Sequence, residues 1–319
     1  MLKVEIKSFS YSDKTILKNI AFELKAGEHL SILGESGCGK STLLHLIYGW
    51  LHLNDGEIFY GNKKLLGPTH SLIPGEPFMK LVAQEFNVMP FTTVAENIGS
   101  HLSGLDGEED KKRIDELLEV VEMESFKNTL VKTLSGGQKQ RVALAKALAN
   151  EPEIILLDEP FSNIDSFRKN KLRRKLFNHL KKKNVICITA THDSEEALAF
   201  SDQILMLKNG SVEMFGSPEN IYRTAADEYQ AGFFDDVNLL PKGLFSSEEN
   251  YGEIIVFPNQ LQVPEEETAL KVIVENCYFK GSHYLIQCNW KGKEILFENS
   301  KKLQPHSVCH LKYSPKSSI

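Results

Sequence analysis

Gly34-Glu35-Ser36-Gly37-Cys38-Gly39-Lys40-Ser41-Thr42 directly follows the strand-like run His29 to Leu33 and leads into a helical pattern from Thr42 to Leu51. A glycine, four variable residues and then Gly-Lys-Ser, set between a strand and a helix, predict a phosphate-binding loop. Glycines let backbone N–H groups close around a phosphate, and the start of the helix adds the positive end of its dipole. In such a loop Lys40 bridges the β- and γ-phosphates of a nucleotide and the Ser41 hydroxyl ligates Mg²⁺.

Outward from the loop, Ile154-Ile155-Leu156-Leu157-Asp158-Glu159-Pro160 sets two acids at the end of a second buried apolar strand. Carboxylates there are costly without a partner, and a Mg²⁺-nucleotide supplies one. Asp158 is expected to hold the metal, directly or through water, and Glu159 to orient and polarise an attacking water. A third apolar run, Val185 to Thr189, follows the basic stretch Phe167 to Lys183. Strand, helix, strand order favours a parallel sheet. The apolar stripe Leu172, Leu176, Phe177 and Leu180 marks the basic stretch as a crossover helix with a solvated face rather than a nucleic-acid patch.

Earlier in the chain, Val4 to Ile6, Ile20 to Leu24 and Glu57 to Tyr60 read as short strands punctuated by Gly27 and Gly56. From about Thr93 to Asn150 the apolar spacing turns helical, which implies a helical insert. Ser217-Pro218-Glu219 reads as a helix start, and that helix is expected to run to about Phe233. Beyond it, Leu270 to Leu311 alternates like strands, with turns at Lys280-Gly281-Ser282 and Lys291-Gly292-Lys293, as in a small β domain of about five strands. Cys277 and Cys288 lie on two of these runs and are expected to approach across a hairpin as half-buried thiols.

The 319 residues amount to about two domains. Hydrophobic residues at 41% and charged residues at 25% exclude a collagenous or largely disordered chain. No uncharged apolar run approaches the roughly 18 residues a membrane span needs, so work at a membrane is expected from its surface. The 37 basic against 43 acidic side chains, a net charge of −6, argue against nucleic acid as a partner. Without a secretion signal, the five cysteines are expected to be free thiols in a reducing cytoplasm.

Leu134-Ser135-Gly136-Gly137-Gln138-Lys139-Gln140-Arg141 resembles the signature motif of the ABC-type ATPases. Ser135 with the N–H groups of Gly136 and Gly137 opens a helix and so makes a second anion-binding end. The resemblance implies that this end, with Gln138, closes on the γ-phosphate held by the other subunit, so that a homodimer sandwiches two ATP molecules. It also matches Gln84 to the glutamine that touches Mg²⁺ or the attacking water and links to the membrane partner. Ser162-Asn163-Ile164-Asp165 resembles the D-loop, with Asn163-Ile164 in place of the usual Ala-Leu and Asp165 as the matching acid. His192 matches the switch histidine that contacts the γ-phosphate. Tyr11 sits where the family often stacks an aromatic on adenine, with Phe9 as a nearby aromatic alternative.

The resemblance implies a P-loop α/β ATPase domain over residues 1–235, with an antiparallel β subdomain and a helical insert at about 87–150. The segment 236–319 resembles the OB-like (TOBE) extension of importer ATPases. The implied function is ATP hydrolysis that energises uptake of a small solute through two transmembrane permease subunits, with an extracytoplasmic solute-binding protein acting indirectly. Polyamines, iron(III), oxyanions and sugars are the candidate solutes, with a lean to polyamine or ferric iron; an exporter ATPase and a soluble non-transport ABC protein are the alternatives. The implied place is the cytoplasmic face of the membrane. Because Cys38 lies inside the phosphate loop, its alkylation is expected to block ATP binding.

Overall fold

Strand β1 (Leu2–Tyr11) alternates buried and exposed side chains and pairs antiparallel with β2 (Lys14–Leu24), so one face of the hairpin is apolar. This is a computed structural model, and it describes residues 1–102, 104, 107–245 and 252–314. Next come β3 (His29–Gly34), α1 (Lys40–Tyr48), β4 (Asp55–Tyr60), β5 (Lys63–Lys64) and β6 (Met79–Val82). Helix α1 stops at Gly49, whose φ of 83° suits a residue without a Cβ, so it is shorter than the apolar pattern to Leu51 suggests. The insert follows as α2 (Val94–Gly99), α3 (Gly107–Val120) and α4 (Gly136–Leu148). The unit closes with β7 (Ile154–Asp158), α5 (Ser166–Lys182), β8 (Ile186–Ala190), α6 (Ser194–Phe200), β9 (Gln203–Lys208) and β10 (Ser211–Gly216).

These elements make two sheets within the unit Met1–Ile221. The antiparallel sheet has the order β2-β1-β4-β5, and the larger one the order β10-β9-β3-β8-β7-β6, parallel except for β10. β3, β7 and β8 are buried at every residue, as strands covered on both faces must be. Ile154, Leu156, Ile186 and Ile188 point to the core shared with the antiparallel sheet and α1. Ile155, Leu157 and Cys187 point to the core shared with the insert helices and α5. The register fixes the functional edge: Ile32 lies beside Ala190 and Ala190 beside Asp158. The C-terminal ends of β3, β8 and β7 are therefore adjacent, which is where ligands bind in open parallel sheets.

Helix α7 (Pro218–Thr224) carries the chain into the unit Tyr222–Ile319. The single helix expected to reach Phe233 is two: α8 (Glu228–Gly232) starts afresh because Asp227 caps it, accepting from the Gln230 N–H at 2.8 Å, while the Gln230 side chain takes the Ala226 N–H at 2.8 Å. The tail strands are β11 (Asn238–Pro241), β12 (Glu253–Val256), β13 (Leu261–Gln262), β14 (Leu270–Phe279), β15 (Tyr284–Trp290), β16 (Lys293–Asn299) and β17 (Val308–Tyr313). β11 pairs with β12, and the other five form an antiparallel sheet in the order β13-β17-β14-β15-β16. Lys291 and Gly292, with φ of 53° and 84°, make the two-residue turn between β15 and β16. Leu270, Val272, Val274, Ile286, Cys288, Ile295 and Phe297 fill this unit's core. Cys277 and Cys288 sit on neighbouring strands as free thiols, Cys277 half-buried as expected and Cys288 fully buried.

Candidate functional site

The phosphate loop leaves β3 with its backbone already shaped for an anion. Gly37 and Gly39 have φ of 82° and 112°, and a Cβ on Gly39 would lie 2.5 Å from the Leu17 side chain of β2. A Cβ on Gly34 would meet Leu207 O and Cys38 Sγ, each at 2.5 Å. Glycine is thus required for close packing as well as for torsion. Lys40, 7% exposed, donates from Nζ to Gly34 O at 2.7 Å and Glu35 O at 3.0 Å. The ammonium is held over the loop by carbonyls that a phosphate can replace as acceptors. Ser36 and Thr42 flank this cradle, Ser36 within the loop and Thr42 in the first turn of α1.

Asp158 ends β7 with its carboxyl buried and accepting from Ser41. Burial raises its pKa, and the Ser41 hydrogen bond, His45 and Lys40 oppose that, so the site favours a cation beside the carboxylate. Ser41, His45, Gln84 and Asp158 line one groove of about 620 Å³, with Gln84 exposed in the bend after β6. An oxygen-rich pair that leaves most positions open suits Mg²⁺, which keeps waters and takes phosphate oxygens. Among the described residues no three His, Cys, Asp or Glu side chains converge as a closed metal cage.

Glu159 has a left-handed backbone, φ 47°, fixed by its N–H donating to Ala190 O at 2.9 Å. Its Oε1 lies 3.1 Å from His192 Nδ1, so the two residues singled out on separate strand ends meet directly. Tyr11 lies at the end of β1, 46% exposed and edge-on to Phe9; the paired strand β2 is the one that packs on Gly39.

The signature residues lie elsewhere. Ser135 caps α4 and accepts from the Gln138 N–H at 3.3 Å, while Gln138 Oε1 takes the Ser135 N–H at 2.8 Å. Ser135 and Gly136 are exposed and do not line the groove of Ser41 and Asp158. Gly137 packs on the D-loop, where a Cβ would meet Asn163 O at 2.4 Å. Asp165 ends that loop at the start of α5.

A sequence model of the ABC transporter family matches residues 17–162. The chain is 32% identical over 325 residues to the Fe(3+) ions import ATP-binding protein FbpC of Escherichia coli O157:H7, covering 95% of this chain and 92% of that protein. The protein of that name in Escherichia coli strain K12 is likewise 32% identical, over 324 residues, with the same coverage. The chain belongs to the ABC transporter ATP-binding subunits. Two solved structures share the ATPase fold. The post-hydrolysis dimer of the ATP-binding cassette MJ0796 with ADP and Pi is 34% identical at a TM-score of 0.60, over 68% of this chain and 99% of that one. The cbiO1 subunit from Clostridium perfringens, part of the complex cbiONQ, is 30% identical at a TM-score of 0.62, over 70% and 90%. This ABC subunit is therefore an ATPase that powers transport, of the importer type.

Three residues near this site receive no role from the sequence, although Gln140 lies within the stretch Leu134 to Arg141. His45 lines the groove of Ser41 and Asp158 one helical turn after Ser41, a spacing that places it on the same face. Gln140 is buried in α4, bonded to Glu159 O at the end of β7 and to the Asn163 N–H of the loop after it. Arg173 of α5, also buried, donates to Asp193 at 2.6 Å and Glu196 at 2.7 Å and lies over the Phe161 ring at 5.3 Å. Burial pushes Glu196 up to about 7, opposed by Arg173. In the sequence Arg173 is one of a basic run, and nothing in that run marks which member turns inward.

Proposed function

We propose that this ABC subunit hydrolyses ATP to drive import of ferric iron. The observation that carries the substrate is the 32% likeness, over nearly the whole chain including the tail, to proteins named for Fe(3+) ion import. The chemistry is assigned to the adjacent ends of β3, β7 and β8. The loop Gly34 to Thr42, with the side chain of Lys40, grips the β- and γ-phosphates through N–H donors and one buried cation. Ser41, Asp158 and Gln84 would hold Mg²⁺, which when bound neutralises developing charge on the phosphate oxygens.

Glu159 orients and polarises the attacking water, and His192, already hydrogen-bonded to Glu159, is released toward the γ-phosphate. Tyr11 stacks on adenine. The helix end at Ser135, Gly136, Gly137 and Gln138, with Asp165, meets the nucleotide of a second copy; its exposure, and its absence from the lining of its own chain's groove, support this. The dimeric MJ0796 structures support that arrangement.

Among the described residues no helix is long and apolar enough to cross a membrane. The groove beside Gln84 receives a helix of the permease at the cytoplasmic face, and dimer closure on ATP passes to that helix as a population shift. The test is complementation: a strain lacking this subunit regains Fe(3+) uptake with the parental chain and not with Glu159→Gln. Uptake of another solute restored in place of iron overturns the substrate; uptake restored by Glu159→Gln overturns the mechanism.

A further inference from the structure

The backbone of Glu159 is strained, and one side chain braces it. A left-handed φ of 47° is unfavourable for a non-glycine residue and persists where surrounding contacts fix it. The Gln140 amide supplies such contacts: Nε2 donates to Glu159 O at 2.9 Å, and Oε1 accepts from the Asn163 N–H at 3.2 Å. Gln140 is 1% exposed, so both halves of the amide are satisfied away from water. One turn earlier on the same helix, Gly137 lies so close to Asn163 O that no Cβ fits. Helix α4, the catalytic strand end and the D-loop are thereby joined at two successive turns.

We propose that Gln140 is a positioning residue that locks Glu159 and the D-loop to the signature helix, so that the three move as one body when α4 engages nucleotide. This rests on the reading of Glu159 as the water-orienting group. Gln140 reaches neither phosphate nor metal; it acts through the Glu159 carbonyl. Movement of α4 at its exposed end then changes the aim of a carboxylate in the same chain, which is a physical route from one nucleotide of a dimer to the other.

The test uses the full-length chain with three variants. Gln140→Met keeps the volume and removes both hydrogen bonds, and is expected to lower kcat at least about tenfold with KM for ATP within about twofold. Gln140→Glu keeps the acceptor for Asn163 and loses the donor to Glu159, and is expected to fall in between. Glu159→Gln and the double variant Glu159→Gln with Gln140→Met are compared for ATP-dependent dimers, and both are expected to form them equally. Parental kcat in Gln140→Met overturns the proposal. So does a double variant that no longer dimerises, since the loss is then of the signature grip; Gln140→Glu gives the same reading should the methionine variant fold poorly. Parental turnover in Glu159→Gln alone overturns the underlying assignment, and the positioning role with it.

Discussion

In Met1–Ile221 the buried side chains include His29, Lys40, Asn97, Gln140, Arg141, Asp158, Arg173 and Glu196, whereas in Tyr222–Ile319 Asn238 is the one polar side chain buried to that degree among the described residues. Asn238 serves the fold alone, since its amide bonds Val256 O, Leu296 O and the Leu296 N–H and so pins β11 to β12 and β16. In the first unit Lys40, Gln140 and Asp158 are buried where β3 and β7 end, whereas His29, Asn97 and Arg141 are bonded elsewhere within the fold. Burying a polar group is costly unless it is partnered. A unit that carries many of them has been shaped for ligand chemistry, and one that carries a single bracing amide has been shaped for packing.

That division of roles is most exposed to test in the tail core. Phe297→Ala should destabilise Tyr222–Ile319 by about 3–5 kcal/mol and leave ATP affinity unchanged, read by thermal melting beside nucleotide titration. A matching loss of ATP affinity would show that the tail belongs to the site. In the other unit, Lys40→Ala removes the charge-assisted donor, and ATP affinity should fall about a hundredfold, roughly 2.7 kcal/mol. Unaltered binding would remove the loop from phosphate recognition.

Acid acts on the first unit through a buried imidazole that has no counterpart among the described residues of the tail. His29 is buried, with Nδ1 2.8 Å from Phe200 O and Nε2 2.9 Å from Thr189 Oγ1, and burial lowers its pKa to about 4. A carbonyl only accepts, so Nδ1 carries the proton of the neutral ring. Between about pH 6.5 and 4 the unfolded chain binds a proton that the folded chain refuses, so stability falls as pH falls. At pH 5 the loss is about 2 kcal/mol relative to neutral pH, and it should vanish in His29→Phe. An equal acid shift in that variant would assign the effect elsewhere. The smallest effect concerns Cys38, whose thiol is buried against Gly34 and pushed up by that burial, so it resists the alkylation its place in the loop invites. Cys38→Ser should change ATP affinity by less than about threefold; a larger change would make the thiol's packing a determinant of the loop.

Much of the fold is written in local pattern. The apolar runs at Ile154–Leu157 and Ile186–Ile188, and Leu30–Leu33 with its one Ser31, declare covered parallel strands, and Lys291-Gly292 declares its hairpin turn. β2 is harder to see, since Asn19 at φ 53° interrupts its alternation, and the strand begins at Lys14 although only Ile20 to Leu24 reads cleanly. The break between α7 and α8 depends on a cap at Asp227 inside a stretch that otherwise propagates as a helix. The loop, Asp158, Glu159 and His192 follow from motif and order, because each ends a strand. The contacts of Gln140, although it lies in the signature stretch, and of Arg173 do not: a glutamine or arginine inside a charged amphipathic helix looks solvated until tertiary packing turns it inward.

The proposed mechanism requires two copies of this chain to enclose ATP between the loop at Gly34 to Thr42 of one and the Ser135 helix end of the other. Sedimentation of full-length Glu159→Gln with Mg²⁺ and ATP, with bound nucleotide counted, decides the point. The expected result is a species of twice the mass of one chain carrying two ATP molecules, which Ser135→Arg abolishes. A Glu159→Gln chain that retains ATP yet sediments as a monomer contradicts it.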